Sequence, residues 1–250
     1  MSSRARFWVV TAAALVAVLV AARLGLWQLD RAAQKEAWVN NMTAQASEQE
    51  LANSDWSALN VQAATADAAV HRRIRLSGTW MAQHVVFLDN RQMNAKPGFY
   101  VLTPLRLSDG SVVVVQRGWV QRDFMQRDQV PYVATPGGVV SVYGRLATPP
   151  SQLYSWDNTQ RTQIRQNLNW SDFSAEIGAS IGLLSVVELD EGDAPDGTPS
   201  VDGLLRQWPA VDAKLYTHYG YAAQWFALGL LVALLYFWFQ WIAPRRVKQA

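Results

Sequence analysis

Residues 221–242 read YAAQWFALGLLVALLYFWFQWI, without a charged side chain. At a rise of about 1.5 Å per residue, a helix of this length extends about 33 Å, enough to cross the hydrocarbon core of a bilayer. The other end of the chain carries its counterpart. Residues 7–29, FWVVTAAALVAVLVAARLGLWQL, are uncharged up to Ala22 and then meet Arg23. Near a helix end such an arginine reaches the headgroups by extending its aliphatic stem. Two spanning helices therefore enclose residues 30–217, whose mixed texture is that of a globular domain.

A cleavable signal peptide is the rival reading of residues 7–29, because Arg4 and Arg6 precede an apolar run that ends among alanines. The resumption of the apolar pattern after Arg23 favours a retained span, with Trp27 at the interfacial position where an aromatic ring is stable. Ala13, Ala17, Ala21 and Gly25 recur every fourth residue as a smooth ridge, and Gly220, Ala223 and Ala227 offer a counterface on the second span.

Two spans place both termini on one side. Arg4, Arg6, Arg245, Arg246 and Lys248 flank them outside the domain, against Arg23, Arg31, Lys35, Arg206 and Lys214 on the domain side. Short flanks weigh most in setting orientation, and a long domain translocates largely regardless of its charges. The basic tail in residues 243–250 thus predicts cytoplasmic termini and an extracytoplasmic domain.

Composition removes several function classes. There is no cysteine, hence no disulfide and no thiolate metal site. A net charge of +2 without a basic run in the middle domain lacks the electrostatic footprint of nucleic-acid binding. There is no Gly-rich phosphate loop, no His-Glu-x-x-His and no Gly-x-Ser-x-Gly elbow, so the sequence points away from an enzyme.

Within the domain, the first helix is expected to continue through Glu36 on good helix formers, followed by helix and loop over 38–69, with a cap or turn at 53–55. Strands are expected at 73–78, 85–89, 100–107, 112–117, 139–146 and 183–189. Asp109-Gly110 between two apolar runs predicts a hairpin. A helix over 170–177 is capped by Asn169 or Ser171 and stopped by Gly178. The stretch from Asp190 to Gly203, acidic and rich in Pro and Gly, reads as a solvated loop. The predicted class is α+β: two transmembrane helices (7–29 and 218–242 with its entrance) flanking an antiparallel, strand-rich extracytoplasmic domain (30–217), and a basic cytoplasmic tail (243–250).

Four segments together resemble the Surfeit locus protein 1 family, membrane-bound assembly factors of cytochrome c oxidase. They are Leu24-Gly25-Leu26-Trp27-Gln28-Leu29-Asp30-Arg31 with Lys35; Asp89-Asn90-Arg91 with Pro97-Gly98-Phe99 and Thr103-Pro104-Leu105; Arg117-Gly118-Trp119-Val120; and His218-Tyr219-Gly220-Tyr221-Ala222-Ala223-Gln224-Trp225-Phe226. Thr217 departs from the pattern where a basic residue is often found. The resemblance implies a non-enzymatic factor of a bacterial inner membrane, its central domain periplasmic, that receives or holds haem A near haem A synthase and serves subunit I of the oxidase.

The residues themselves leave two readings open at each position. His218, Tyr221 and Trp225 share one helical face at the membrane edge, so the imidazole is either a ligand of haem iron with the aromatics against the macrocycle, or an interfacial histidine among belt aromatics. Trp27, Arg31 and Lys35 stack at intervals of four just outside the bilayer, where the cations meet lipid phosphates or haem propionates. Gly118 and Trp119 read as structural, with Gly118 permitting a bulge or close backbone approach. His71 and His84 read as surface or satisfied residues. A scaffold that stabilises an oxidase intermediate without touching haem is the alternative function.

Overall fold

The computed structural model describes residues 2–59, 63–123, 125–126, 129–153, 162–190, 202–208 and 215–243. Lys214, most of the acidic loop and the tail with Arg245, Arg246 and Lys248 lie outside the described residues. The chain divides into two units, Met1–Asn41 with Val211–Ala250, and Met42–Ala210. The first unit is a helix pair and the second is built on a sheet.

Helix α1, Ser3–Ser47, runs well past Glu36 because residues 30–47 hold no Gly or Pro to stop it. Two short helices follow, α2 (Asn53–Leu59) and α3 (Ala63–Ala69), which bury Trp56, Leu59, Ala66 and Ala69. The turn expected at 53–55 is a clasp: the Asn53 side chain donates to Ser77 O and accepts from Ser77 N, both at 2.8 Å.

The strands are β1 (Arg73–Trp80), β2 (Val86–Met93), β3 (Lys96–Leu107), β4 (Val112–Gln121), β5 (Val139–Ala147), β6 (Ile164–Arg165) and β7 (Ile181–Glu188). They form one sheet in the order β1-β5-β7-β4-β3-β2-β6, and an additional β1–β3 pairing closes β1, β5, β7, β4 and β3 into a ring. Inward residues such as Ile74, Leu76, Leu105, Val113, Val115 and Val186 form the ring's apolar core, on which Trp56 and Leu59 of α2 pack.

The sheet is mixed, which corrects the antiparallel expectation. β4 pairs with β7 in parallel (Val112↔Ile181, Val115↔Val186), and β2 pairs with β6 in parallel. β4 is buried on both faces: Val113 and Val115 face the ring core, while Val112 and Val114 face a second cluster with Phe173 and Ile177 of helix α4 (Trp170–Ile177). A strand covered on both sides accepts a parallel neighbour delivered by a long crossover, here the segment containing α4.

Local signals were accurate where the chemistry is local. Asn169 Oδ1 accepts from Ser171 N and Asp172 N, and Gly178 takes φ 70° at the C-cap of α4. The Asp109-Gly110 turn joins β3 to β4, with Gly110 at φ 86°. The hairpin between β2 and β3 had no such signature, because its turn places Asn94 and Ala95 at φ 51° and 60°, where glycine would ordinarily follow asparagine.

Candidate functional site

The helix pair consists of α1 and α5 (Leu215–Phe237), the latter extended by one π turn, Trp238–Ile242. Both helices are long and apolar enough to cross a membrane. They run antiparallel: Thr11 Oγ1 meets Tyr236 Oη at 2.8 Å at one end, and Gln28 Oε1 meets His218 Nδ1 at 2.8 Å at the other. Between Thr11 and Gln28 the helix rises about 26 Å, close to the hydrocarbon thickness of a bilayer. Each polar pair therefore falls near one edge of an apolar seam.

The seam corrects the predicted ridge. Ala21 and Gly25 are buried, but Ala13 and Ala17 are exposed and Val18 is half-buried. A Cβ on Gly25 would come within 2.7 Å of the Phe226 ring, and one on Gly229 within 3.3 Å of Ala21 Cβ. The counterface is Ala222 and Gly229, seven apart, rather than Gly220, Ala223 and Ala227, which are exposed. A ridge spaced strictly by four residues drifts about 40° per step around a helix of 3.6 residues per turn, whereas the buried or half-buried positions Thr11, Ala14, Val18, Ala21, Gly25 and Gln28 alternate three and four and stay on one face. Gly229→Leu should accordingly disrupt the pair while Ala17→Leu leaves it intact. The chain has no cysteine, so a bifunctional thiol-reactive linker long enough to replace the tyrosine ring, joining Thr11→Cys to Tyr236→Cys, reports the packing; equal cross-linking in the two leucine variants would show that the seam lies elsewhere.

The proposed ligand set is partly assembled. His218 is half-buried and turned to α1, and Trp225 lies half-buried on the same face of α5. Tyr221, at the flank of this face, is 50% exposed. Trp27 is 43% exposed, and the Arg31 guanidinium lies 5.7 Å from its ring centroid while donating to Gln34 Oε1 at 3.3 Å. Among the described residues no ring contact joins Trp27 to Tyr221 or Trp225. Gln28 is the site residue that sequence reading passed over. Its signal was an uncharged amide between Trp27 and Leu29, at the end of an apolar run that needs no hydrogen-bonding side chain.

The motif residues of the sheet unit hold the fold. A Cβ on Gly98 would lie 2.3 Å from Val120 O and 2.5 Å from the Trp119 ring, so glycine there admits the indole. Trp119 Nε1 donates to Arg91 O at 2.9 Å, and its backbone exchanges hydrogen bonds of 2.8 Å with Leu205. Gly118 lies at the register shift between β3 and β4, where its bare Cα lets Leu204 approach; a Cβ would be 2.7 Å from Leu204 Cβ. The segment from Asp202 to Arg206 is tied down by buried charges. Arg206 contacts Glu188, Asp190 and Asp202 at 2.9, 3.1 and 2.6 Å, and Arg117 contacts Asp202 at 3.1 Å with its guanidinium 4.8 Å from the Trp80 ring centroid.

Neither of the other histidines resembles His218. His71 Nδ1 lies 3.4 Å from an Arg145 Nη1, and burial together with that cation pulls its pKa below the usual imidazole value. His84 closes the 3-10 turn Ala82–His84.

Residues 15–230 match the SURF1 family model. Over 217 residues, 85% of this chain and 83% of the relative, the sequence is 23% identical to a SURF1-like protein of Rickettsia conorii. It is 26% identical over 107 residues to one of Rickettsia felis, covering 42% of this chain and 43% of the relative. With one of Dictyostelium discoideum it shares 34% identity over 61 residues, 24% of this chain and 23% of the relative.

Proposed function

The chain belongs to the SURF1 family of cytochrome oxidase assembly factors, and from that premise we propose that it binds haem A transiently at His218 and supplies it to subunit I of the oxidase, near haem A synthase. The observation that carries this reading is the partner of the imidazole. His218 Nδ1 lies 2.8 Å from Gln28 Oε1, and a neutral ring that donates from Nδ1 to this oxygen keeps the lone pair on Nε2, the form in which a histidine ligates iron. Among the described residues Nε2 has no hydrogen-bond partner. Haem, when bound, would supply an iron able to accept such a lone pair. The chain's part is to hold the imidazole, place Tyr221 and Trp225 beside it, and keep the Arg31 cation one turn beyond Trp27, where a carboxylate or a lipid phosphate pairs with it.

Full-length protein in detergent, titrated with haem, tests the reading. His218→Ala and His218→Gln should lose haem retention with the sheet unit still folded, since neither side chain replaces an imidazole–iron bond, whereas His71→Ala and His84→Ala should retain it. An unchanged haem spectrum in the His218 variants, combined with lost oxidase assembly, would instead select the scaffold reading. That alternative draws on the same contact, because the His218–Gln28 hydrogen bond also clasps two helices together.

The proposed setting is a bacterial inner membrane with both termini cytoplasmic and the central domain periplasmic. A periplasm-active reporter fused after Ala250 should be silent and one inserted near Asp196 active; the reverse pattern would overturn the orientation.

A further inference from the structure

We infer that Gln28 is the positioning residue that selects the ligating tautomer of His218, an assignment that rests on the haem reading above. The two side chains come from opposite ends of the sequence, 190 residues apart, and meet at 2.8 Å. An amide that leaves water without a partner costs free energy, so the half-buried Gln28 is held to its partner rather than free to choose among solvent molecules.

The two ends of an amide impose opposite states on an imidazole. The carbonyl oxygen accepts from Nδ1–H and leaves Nε2 unprotonated; the amide nitrogen would donate to Nδ1 and leave the proton on Nε2, where it blocks ligation. Gln28 presents Oε1. A hydrogen-bond acceptor on the far nitrogen is the usual partner of a metal-ligating histidine: it fixes the ring and makes the ligating nitrogen more basic. Gln28 is therefore more than a helix clasp, and an acceptor at this position is required while a particular shape is not.

That distinction gives the test. In full-length protein without haem, histidine ¹⁵N chemical shifts should show His218 protonated on Nδ1 in the wild type and in Gln28→Glu, and a tautomer mixture in Gln28→Leu. Iron protoporphyrin titration should show Gln28→Leu weakened about tenfold to a hundredfold, with Gln28→Glu restored to within a few-fold. The carboxylate, as a stronger acceptor, should also lower the midpoint potential of the bound iron. Near-UV circular dichroism of each variant monitors the fold. An Nε2-protonated His218 in the wild type, or a Gln28→Leu variant with wild-type affinity and potential, overturns the assignment. If His218→Ala binds iron protoporphyrin like the wild type, the haem reading fails instead, and the tautomer measurement still decides whether Gln28 controls the ring.

Discussion

Arg206→Ala should destabilise the sheet unit by about 3–5 kcal/mol, the usual cost of leaving buried charges without their partner. The Arg206 side chain is only 5% exposed and contacts Glu188, Asp190 and Asp202. After its removal, Arg117 is the arginine still in contact with Asp202, at 3.1 Å, among the described residues. Leu204 and Leu205 would lose the anchor that holds them over Gly118 and Trp119. Hydrogen exchange of the β4 and β7 amides in the full-length protein measures the effect. A loss below about 1 kcal/mol, the range of exposed ion pairs, would mean that apolar packing of Leu204 holds the segment without help from the charges.

Glu188 should make stability fall as pH rises from about 4.5 to about 7. Burial pushes its carboxyl from 4.5 up to about 7, although Arg206 and Arg117 pull the other way. One oxygen accepts from Arg206, and the other, Oε2, is buried without a hydrogen-bond partner among the described residues. The folded protein thus holds a proton that the unfolded chain has already released within that window. The stabilisation linked to it is full below about 4.5 and lost once pH passes about 7, a change of about 3 kcal/mol at 1.36 kcal/mol per unit. Glu188→Gln, neutral throughout, should flatten the profile and exceed the wild type in stability above pH 7. Denaturant midpoints measured at pH 5 and pH 8 check this; parallel profiles for the two proteins would show that Glu188 ionises normally.

What a local pattern dictates was legible in the sequence. The two membrane-length helices follow from apolar run length, the strands other than β6 from alternation and β-branched content, and helix α4 from Asn169 and Gly178 at its ends. The motif segments carried the family resemblance, and the matching family covers residues 15–230. Each of these properties is set by neighbours within a few residues, so no knowledge of the rest of the chain was needed.

Tertiary structure decided what depends on remote partners. The ring closes through Gly78 opposite Leu107 and Trp80 opposite Leu105, and β4 acquires a parallel neighbour from beyond α4, pairings that hairpin signals do not encode. The buried face of α1 is chosen by α5: spacing by four described a ridge, but close packing required the three-and-four alternation that carries Ala21 and Gly25 to Gly229 and Phe226. Gln28 looked like one polar residue in a motif until His218 came within hydrogen-bond reach of it. A side chain's chemistry is written in its type, but its protonation state and orientation belong to the partner that folding brings to it, and that partner lies 190 residues away.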